Sequence, residues 1–117
     1  SAGIIQGLEA AGQSSIEVIG AEPALANDAA CSLKEKRLLS LAAESSTIAD
    51  GARTLSLGRR NFEILRKSMK EIIEVPETAI VEALRQAFFE ANLKLEPTGA
   101  LSLAALLINP ELFRAKR

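Results

Sequence analysis

The strongest constraint on this chain is where its prolines fall. All four stand where an extended segment hands over to a helical one, at Glu22-Pro23, Val75-Pro76, Glu96-Pro97 and Asn109-Pro110. Proline at the first position of a helix loses nothing there, because that N–H has no intrahelical partner and the ring already fixes φ near the helical value. The pattern therefore predicts a helix start at each. Ahead of Pro23 runs Ile16-Glu17-Val18-Ile19-Gly20-Ala21, and ahead of Pro76 runs Glu71-Ile72-Ile73-Glu74-Val75, both short and β-branched in the manner of buried strands. Two strands are expected.

Periodicity supplies the helices. Phe62, Leu65, Met69 and Ile72 recur at three- and four-residue steps, opposed by Arg59, Arg60, Glu63, Arg66, Lys67 and Lys70. A second stripe, Ile80, Leu84, Phe88 and Ala91, begins at Pro76. The third segment, Thr98 to Ile108, is apolar nearly all round, so it needs covering on several sides. Weaker helical patterns cover Ala2 to Ala11 and Ala24 to Lys36, and the stretch from Ser40 to Leu57, rich in Ser, Thr and Gly, reads as loop. The order is that of an α/β fold with a partial parallel sheet of about two strands covered by helices, in one partial domain over 1–117. So small a parallel sheet is normally extended by further strands.

What is missing narrows the chemistry further. With no histidine among 117 residues there is no Ser-His-Asp triad, no imidazole base and no histidine ligand for zinc. The lone Cys31, beside Leu33 on the apolar side of its helix, reads as a small buried thiol, and it cannot form an internal disulfide. A net charge of -1 gives no electrostatic reason to expect a nucleic acid or an anionic membrane as partner. Ala100 to Ile108 is about half the length that spans a hydrocarbon core. No basic-then-apolar leader opens the chain, and the single thiol suits a reducing, cytoplasmic compartment. The Arg59-Arg60 pair reads as a solvated helix start or, less simply, as an anion contact. Arg114, Lys116 and Arg117 suit the negative end of the last helix.

Three strings carry most of the remaining information: Val18-Ile19-Gly20-Ala21-Glu22-Pro23, Thr47-Ile48-Ala49-Asp50-Gly51 and Leu95-Glu96-Pro97-Thr98-Gly99-Ala100. In this order and at these separations they resemble the carboxy-terminal part of the large domain of pyridoxal-phosphate enzymes of the threonine dehydratase and serine racemase family, of the tryptophan-synthase-β-like fold type II. Ser1-Ala2-Gly3-Ile4 is similar to the residues that follow that family's four-glycine phosphate loop. The resemblance implies α-proton removal from a hydroxy-amino acid, with the pyridoxal ring as electron sink. It also implies that Gly51, in the Asp50-Gly51 turn, and Glu96 form a wall of the cofactor site.

Departures from the family pattern matter as much. None of Lys34, Lys36, Lys67, Lys70, Lys94 or Lys116 stands in the family's Ser-Phe-Lys context, so no catalytic residue is assigned. The phosphate loop before Ser1 and a Ser-Gly-Gly-Asn-like strand after Arg117 are expected outside the chain. Pyridoxal phosphate thus belongs to the parent family and is not expected bound here.

In the serine racemase branch a divalent cation is held by a Glu after the strand, a carbonyl four residues on and an Asp two further. This resemblance assigns those roles to Glu22, Ala26 and Asp28. Two carboxylates and a carbonyl are hard oxygen donors suited to Mg, Ca or Mn, with water completing the shell. The same acids also suit simpler roles, Glu22 facing a helix N-terminus and Asp28 in solvent.

Two functions are therefore expected in competition. One is a piece of a threonine or serine dehydratase or racemase, inert alone; the other is a free-standing oligomerising or cation-binding module. Either implies a partner, a second copy or the missing amino-terminal part, joined through strand edges lined by Ile16, Val18, Ile72, Ile73 and Val75 or by exchange of the helix Thr98 to Ile108.

Overall fold

The computed structural model describes residues 1–114; Lys116 and Arg117, expected at the end of the last helix, lie outside the described residues. The elements run α1 (Ala2–Ala10), β1 (Val18–Pro23), α2 (Asp28–Lys34), α3 (Arg59–Ser68), β2 (Met69–Val75), α4 (Glu77–Ala91), α5 (Leu101–Ile108) and α6 (Pro110–Phe113). Short 3₁₀ turns at Asp50–Ala52 and Thr98–Ala100 punctuate the two long connections. The strands pair in parallel, with Gly20 opposite Ile72, Glu22 opposite Glu74 and Pro23 opposite Val75, and an irregularity lies between Val18 and Ile19.

Three of the four prolines introduce helical structure. Pro76 caps α4, Pro97 precedes the 3₁₀ turn that opens α5, and Pro110 is the first residue of α6. Pro23 departs from the expectation, since it is the last, buried residue of β1, and α2 starts only at Asp28. Having no N–H, Pro23 ends the ladder, and the next amide, of Ala24, donates to the Val75 carbonyl at 2.8 Å instead.

The helical period read through Met69 and Ile72 also stops early. α3 ends at Ser68 and the chain passes without a loop into β2, where pairing with β1 claims both residues. Along α4 the buried stripe is Ala79, Ile80, Ala83 and Ala87, rotated from the expected one, and Phe88 and Ala91 are exposed. Small alanines let α4 approach α5 closely; a phenylalanine at the contact would hold them apart.

One face of the sheet carries the main core. Ile73 and Val75 pack with Ile80, Ala83, Leu101 and Ala104 from α4 and α5. Those two strand residues, expected along open edges, are therefore interior, and Ile16 is exposed and outside the strand. The apolar segment Thr98 to Ile108 lies against α4 and both strands of its own chain, burying Ala100, Leu101, Ala104 and Ala105, with Leu106 and Ile108 at the surface. On the other face, α2 and α3 pack on β2 and on each other, and α1 packs on α3. Cys31 is half-buried on α2; Ser32 is the fully buried residue beside it.

Ile80 is wholly enclosed, whereas Ile4 is 62% exposed. Ile80→Ala should lower the unfolding free energy by about 2–5 kcal/mol through lost burial and a residual cavity. Ile4→Ala should change it by less than about 0.5 kcal/mol. Urea denaturation of the two variants checks both.

Candidate functional site

The three strings quoted above converge. The loop from Thr47 to Arg53 is pinned by Glu77 in the first turn of α4: the Thr47 hydroxyl donates to Glu77 Oε1 at 2.6 Å and the Ile48 N–H to Oε2 at 2.8 Å. Arg53 Nε donates back to the Thr47 carbonyl at 2.9 Å, closing the loop on itself. Thr47 is fully buried, so a missing partner there would leave a polar group unsatisfied at a cost of about 1–3 kcal/mol. At the tip the Gly51 N–H donates to Asp50 Oδ1 at 2.9 Å and to Thr98 Oγ1 at 3.1 Å. A Cβ at Gly51 would sit 3.0 Å from that hydroxyl, which explains the glycine.

Between this turn and the sheet lies a cavity of about 180 Å³ lined by Ser1, Gly20, Gly51, Ala52, Thr54 and Met69 among others. An adjoining cavity of about 370 Å³ shares Ser1, Gly20 and Ala52 and reaches Thr98. Gly20 keeps the strand low, since a Cβ there would meet Ile72 and the Met69 sulfur at 3.0 Å. Ser1 caps α1 and lines both cavities, and Glu22 of β1 also lines the smaller one. Gly51 lines the smaller cavity. Glu96 is exposed and does not line this cavity; its contribution is a carbonyl that accepts the Ala100 N–H, and Thr98 is the residue of its string that reaches the loop.

The acids lie where β1 runs into α2, with Glu22 also lining the smaller cavity. Glu22 takes the simpler role, accepting from the first-turn amides of α2, Ala29 N–H at 3.1 Å and Ala30 N–H at 2.8 Å. Burial nevertheless pushes its pKa up to about 7; the two amides offset part of this, and the charges of Asp28 and Glu74 add to it. Asp28 does not face solvent. It is 2% exposed and neither carboxyl oxygen has a hydrogen-bond partner; the amides of Asp28 itself and Leu57 lie near it without completing a bond. Burial raises its pKa as well. Ala26 is fully buried in the intervening turn. Among the described residues, no group of three or more acidic or thiol side chains is placed to hold a metal, so any cation here would rely on two carboxylates, backbone and water.

Residues 1–117 match the pyridoxal-phosphate dependent enzyme family. The chain belongs to that family. Relatives include serine racemase of Arabidopsis thaliana, 36% identical over 92% of this chain and 33% of the relative, and L-threo-3-hydroxyaspartate ammonia-lyase of a Pseudomonas species, 38% identical over 84% and 30%. A threonine deaminase from T.th. superposes with a TM-score of 0.89 at 44% identity, covering 95% of this chain and 37% of that one. The fold is that of fold type II pyridoxal-phosphate enzymes, and the chain spans about a third of the length of these relatives.

The N-terminus of α1 and the Gly51 turn line these cavities, and no lysine among the described residues lines either; Lys34, Lys36 and Lys70 line a separate groove beside β2. Two residues that matter here, Glu77 and Thr98, escape a reading by periodicity. Their only signal is an acid directly after Pro76, in a helix's first turn, and a hydroxyl within the Glu96-Pro97-Thr98-Gly99 string.

The acids make stability depend on pH. Folded Glu22 keeps its proton up to about pH 7, whereas the unfolded carboxyl loses it near 4.5. In that window the folded state binds more protons, so in metal-free buffer stability should fall as pH rises from about 4.5 through 7, with Asp28 contributing in the same sense. Glu22→Gln should flatten the slope in urea midpoints measured across the range.

Proposed function

We propose that this chain is the carboxy-terminal part of the large domain of a pyridoxal-phosphate-dependent threonine or serine dehydratase or racemase, and that it is not catalytic alone. The observation that carries this reading is the cavity between Gly20 and Gly51, which has the family's glycine turn and a helix N-terminus but no lysine among the described residues. In the whole enzyme the cofactor would act as electron sink. This chain would supply a surface held in shape by Glu77 and Thr98, with Gly51 against the ring and Glu96 at the rim.

Glu22, the Ala26 carbonyl and Asp28 would hold Mg, Ca or Mn, with water completing the shell. Two carboxylates with raised pKa values, one with both oxygens unpartnered, support a positive charge at this point. The alternative, a free-standing cation-binding module, rests on the same acids without the cofactor. A cytoplasmic location accords with the lone thiol and with the absence, among the described residues, of any helix long and apolar enough to cross a membrane.

Two measurements test these readings. The purified chain, mixed with pyridoxal phosphate, should release no ammonia from serine or threonine; borohydride fixing the cofactor on one unique lysine would overturn this. Calcium or manganese should raise the melting temperature by mass action, and Asp28→Ala should abolish the rise. An identical response of parent and Asp28→Ala would remove the metal site from the proposal.

A further inference from the structure

A groove of about 580 Å³, larger than either glycine-lined cavity, runs along β2 between α2 and the end of α3. Its floor is apolar, lined by the half-buried Leu33, Met69 and Ile72. The charges around it are sorted by position. Asn27, the residue before α2, donates to Glu74 Oε2 at 2.7 Å near the end of β2, so α2 runs back along the strand and its last turn lies toward Met69. That end of the groove collects Lys34, Lys36, Lys70 and Arg66, the last from the final turn of α3. The acids that line it, Glu71 and Glu74, lie farther along the strand.

Two of the four cations are answered within the chain, Arg66 by Glu63 at 2.7 Å and Lys70 by Glu17 at 3.0 Å. Lys34 and Lys36 are exposed and form no ion pair among the described residues. Lys34 suits the negative end of α2. Lys36 has no such explanation. It stands in the left-handed region, at φ 55°, in a Schellman turn where its own N–H donates to the Leu33 carbonyl and the Arg37 N–H to the Ser32 carbonyl, both at 3.2 Å. Glycine is the ordinary residue at that position. A lysine there strains the backbone, and what it adds over glycine is an amine on the groove.

We propose that this groove binds a small organic dianion, its doubly charged head between Lys34 and Lys36 and its apolar body on Leu33, Met69 and Ile72. Two unanswered cations call for two negative charges on one head, which a phosphate monoester or a geminal dicarboxylate carries at neutral pH. The volume is that of small-molecule sites, about 300–1,000 Å³. The apolar floor favours a ligand with an apolar body over a bare ion. Glu71 and Glu74 fix the direction of binding, because an anionic tail reaching them would meet like charge. Met69 and Ile72 also line the smaller glycine-lined cavity, so the occupant rests on side chains that bound both. The proposal depends on neither the cofactor nor the cation reading.

Calorimetric titration of the chain with phenyl phosphate and with phenylmalonate, at neutral pH and physiological ionic strength, tests the site. At least one should bind with a dissociation constant of about 1 mM or below, and about tenfold more tightly than inorganic phosphate or malonate. Which of the two binds separates a phosphate monoester from a dicarboxylate. Lys34→Gln and Lys36→Gln should each weaken that probe about tenfold. Lys94→Gln, which removes the same charge from an exposed position outside the groove, should leave it unchanged. Lys36→Gly should melt no lower than the parent, since glycine relieves the left-handed backbone, yet bind as weakly as Lys36→Gln. Binding lost without stability is a result that misfolding cannot imitate. The proposal is overturned if neither probe saturates by about 10 mM, or if the bare anions bind as well as the phenyl compounds. It is equally overturned if Lys36→Gly binds like the parent, or if Lys94→Gln weakens binding as much as the groove variants do.

Discussion

Everything in this molecule is arranged around one parallel pair of strands. Parallel neighbours cannot be joined by a hairpin, so the chain must leave β1 at Pro23 and return to Met69 by a long crossover. That crossover supplies α2, the Thr47–Arg53 loop and α3, and hence the covering of one sheet face. The other face takes α4 and α5, whose small buried residues let them lie close above Ile73 and Val75. A two-stranded sheet cannot stand by itself in water. Its stability here comes from being enclosed by helices, and at Gly20 the Ile72 and Met69 side chains approach so closely that a Cβ would meet them at 3.0 Å.

The same topology assembles the site. Gly20 lies in the middle of β1 and Glu22 near its end, where the chain turns toward α2; the Gly51 turn is an excursion of the crossover; Thr98 opens the 3₁₀ turn before α5. These positions are far apart in sequence, and two groups of hydrogen bonds hold them together. Glu77 fixes the base of the loop and Thr98 fixes its tip. Because Glu77 is also in the first turn of α4, the helix that completes the core also sets the wall of the cavity. Fold and site therefore share a residue whose loss would be felt by both.

How much of this the sequence makes legible depends on whether the signal is local. Strand positions are legible from Val18-Ile19 and Ile72-Ile73, because β-branching is a property of the residues themselves. Pro76, Pro97 and Pro110 announce helical starts for a similarly local reason. Pro23 carries the same local signal and ends a strand, since the ladder with Val75 decides its conformation. Met69 and Ile72 fit a helical period and a strand equally, and only the partner strand selects between them. On α4, hydrophobicity alone favours a stripe through Phe88, whereas packing selects Ala79, Ala83 and Ala87 because they are small. The turn at Gly51 is legible from the Asp50-Gly51 pair in a Ser-, Thr- and Gly-rich stretch. The role of Thr98 is not, because its hydroxyl meets an amide 47 residues away.

The acids show why a carboxylate's type and position do not fix its state. Glu22 and Asp28 are both enclosed and both have raised pKa values, but their surroundings differ. Glu22 reaches the positive end of α2, where two amides stabilise its charge and limit the penalty of burial. Asp28 belongs to the first turn of the same helix, yet the nearby amides of Asp28 itself and Leu57 complete no hydrogen bond to its oxygens. A buried carboxylate without donors is costly in its charged form and far less so when neutral. Protonation or a cation would relieve Asp28, and either would also weaken the repulsion that Asp28 imposes on Glu22. The pair is therefore coupled, and its charge state bears on the turn through Ala26 that joins β1 to α2. Glu22 lines the same cavity as Gly20, so the electrostatics of the acids act directly on the wall of the glycine-lined cavity.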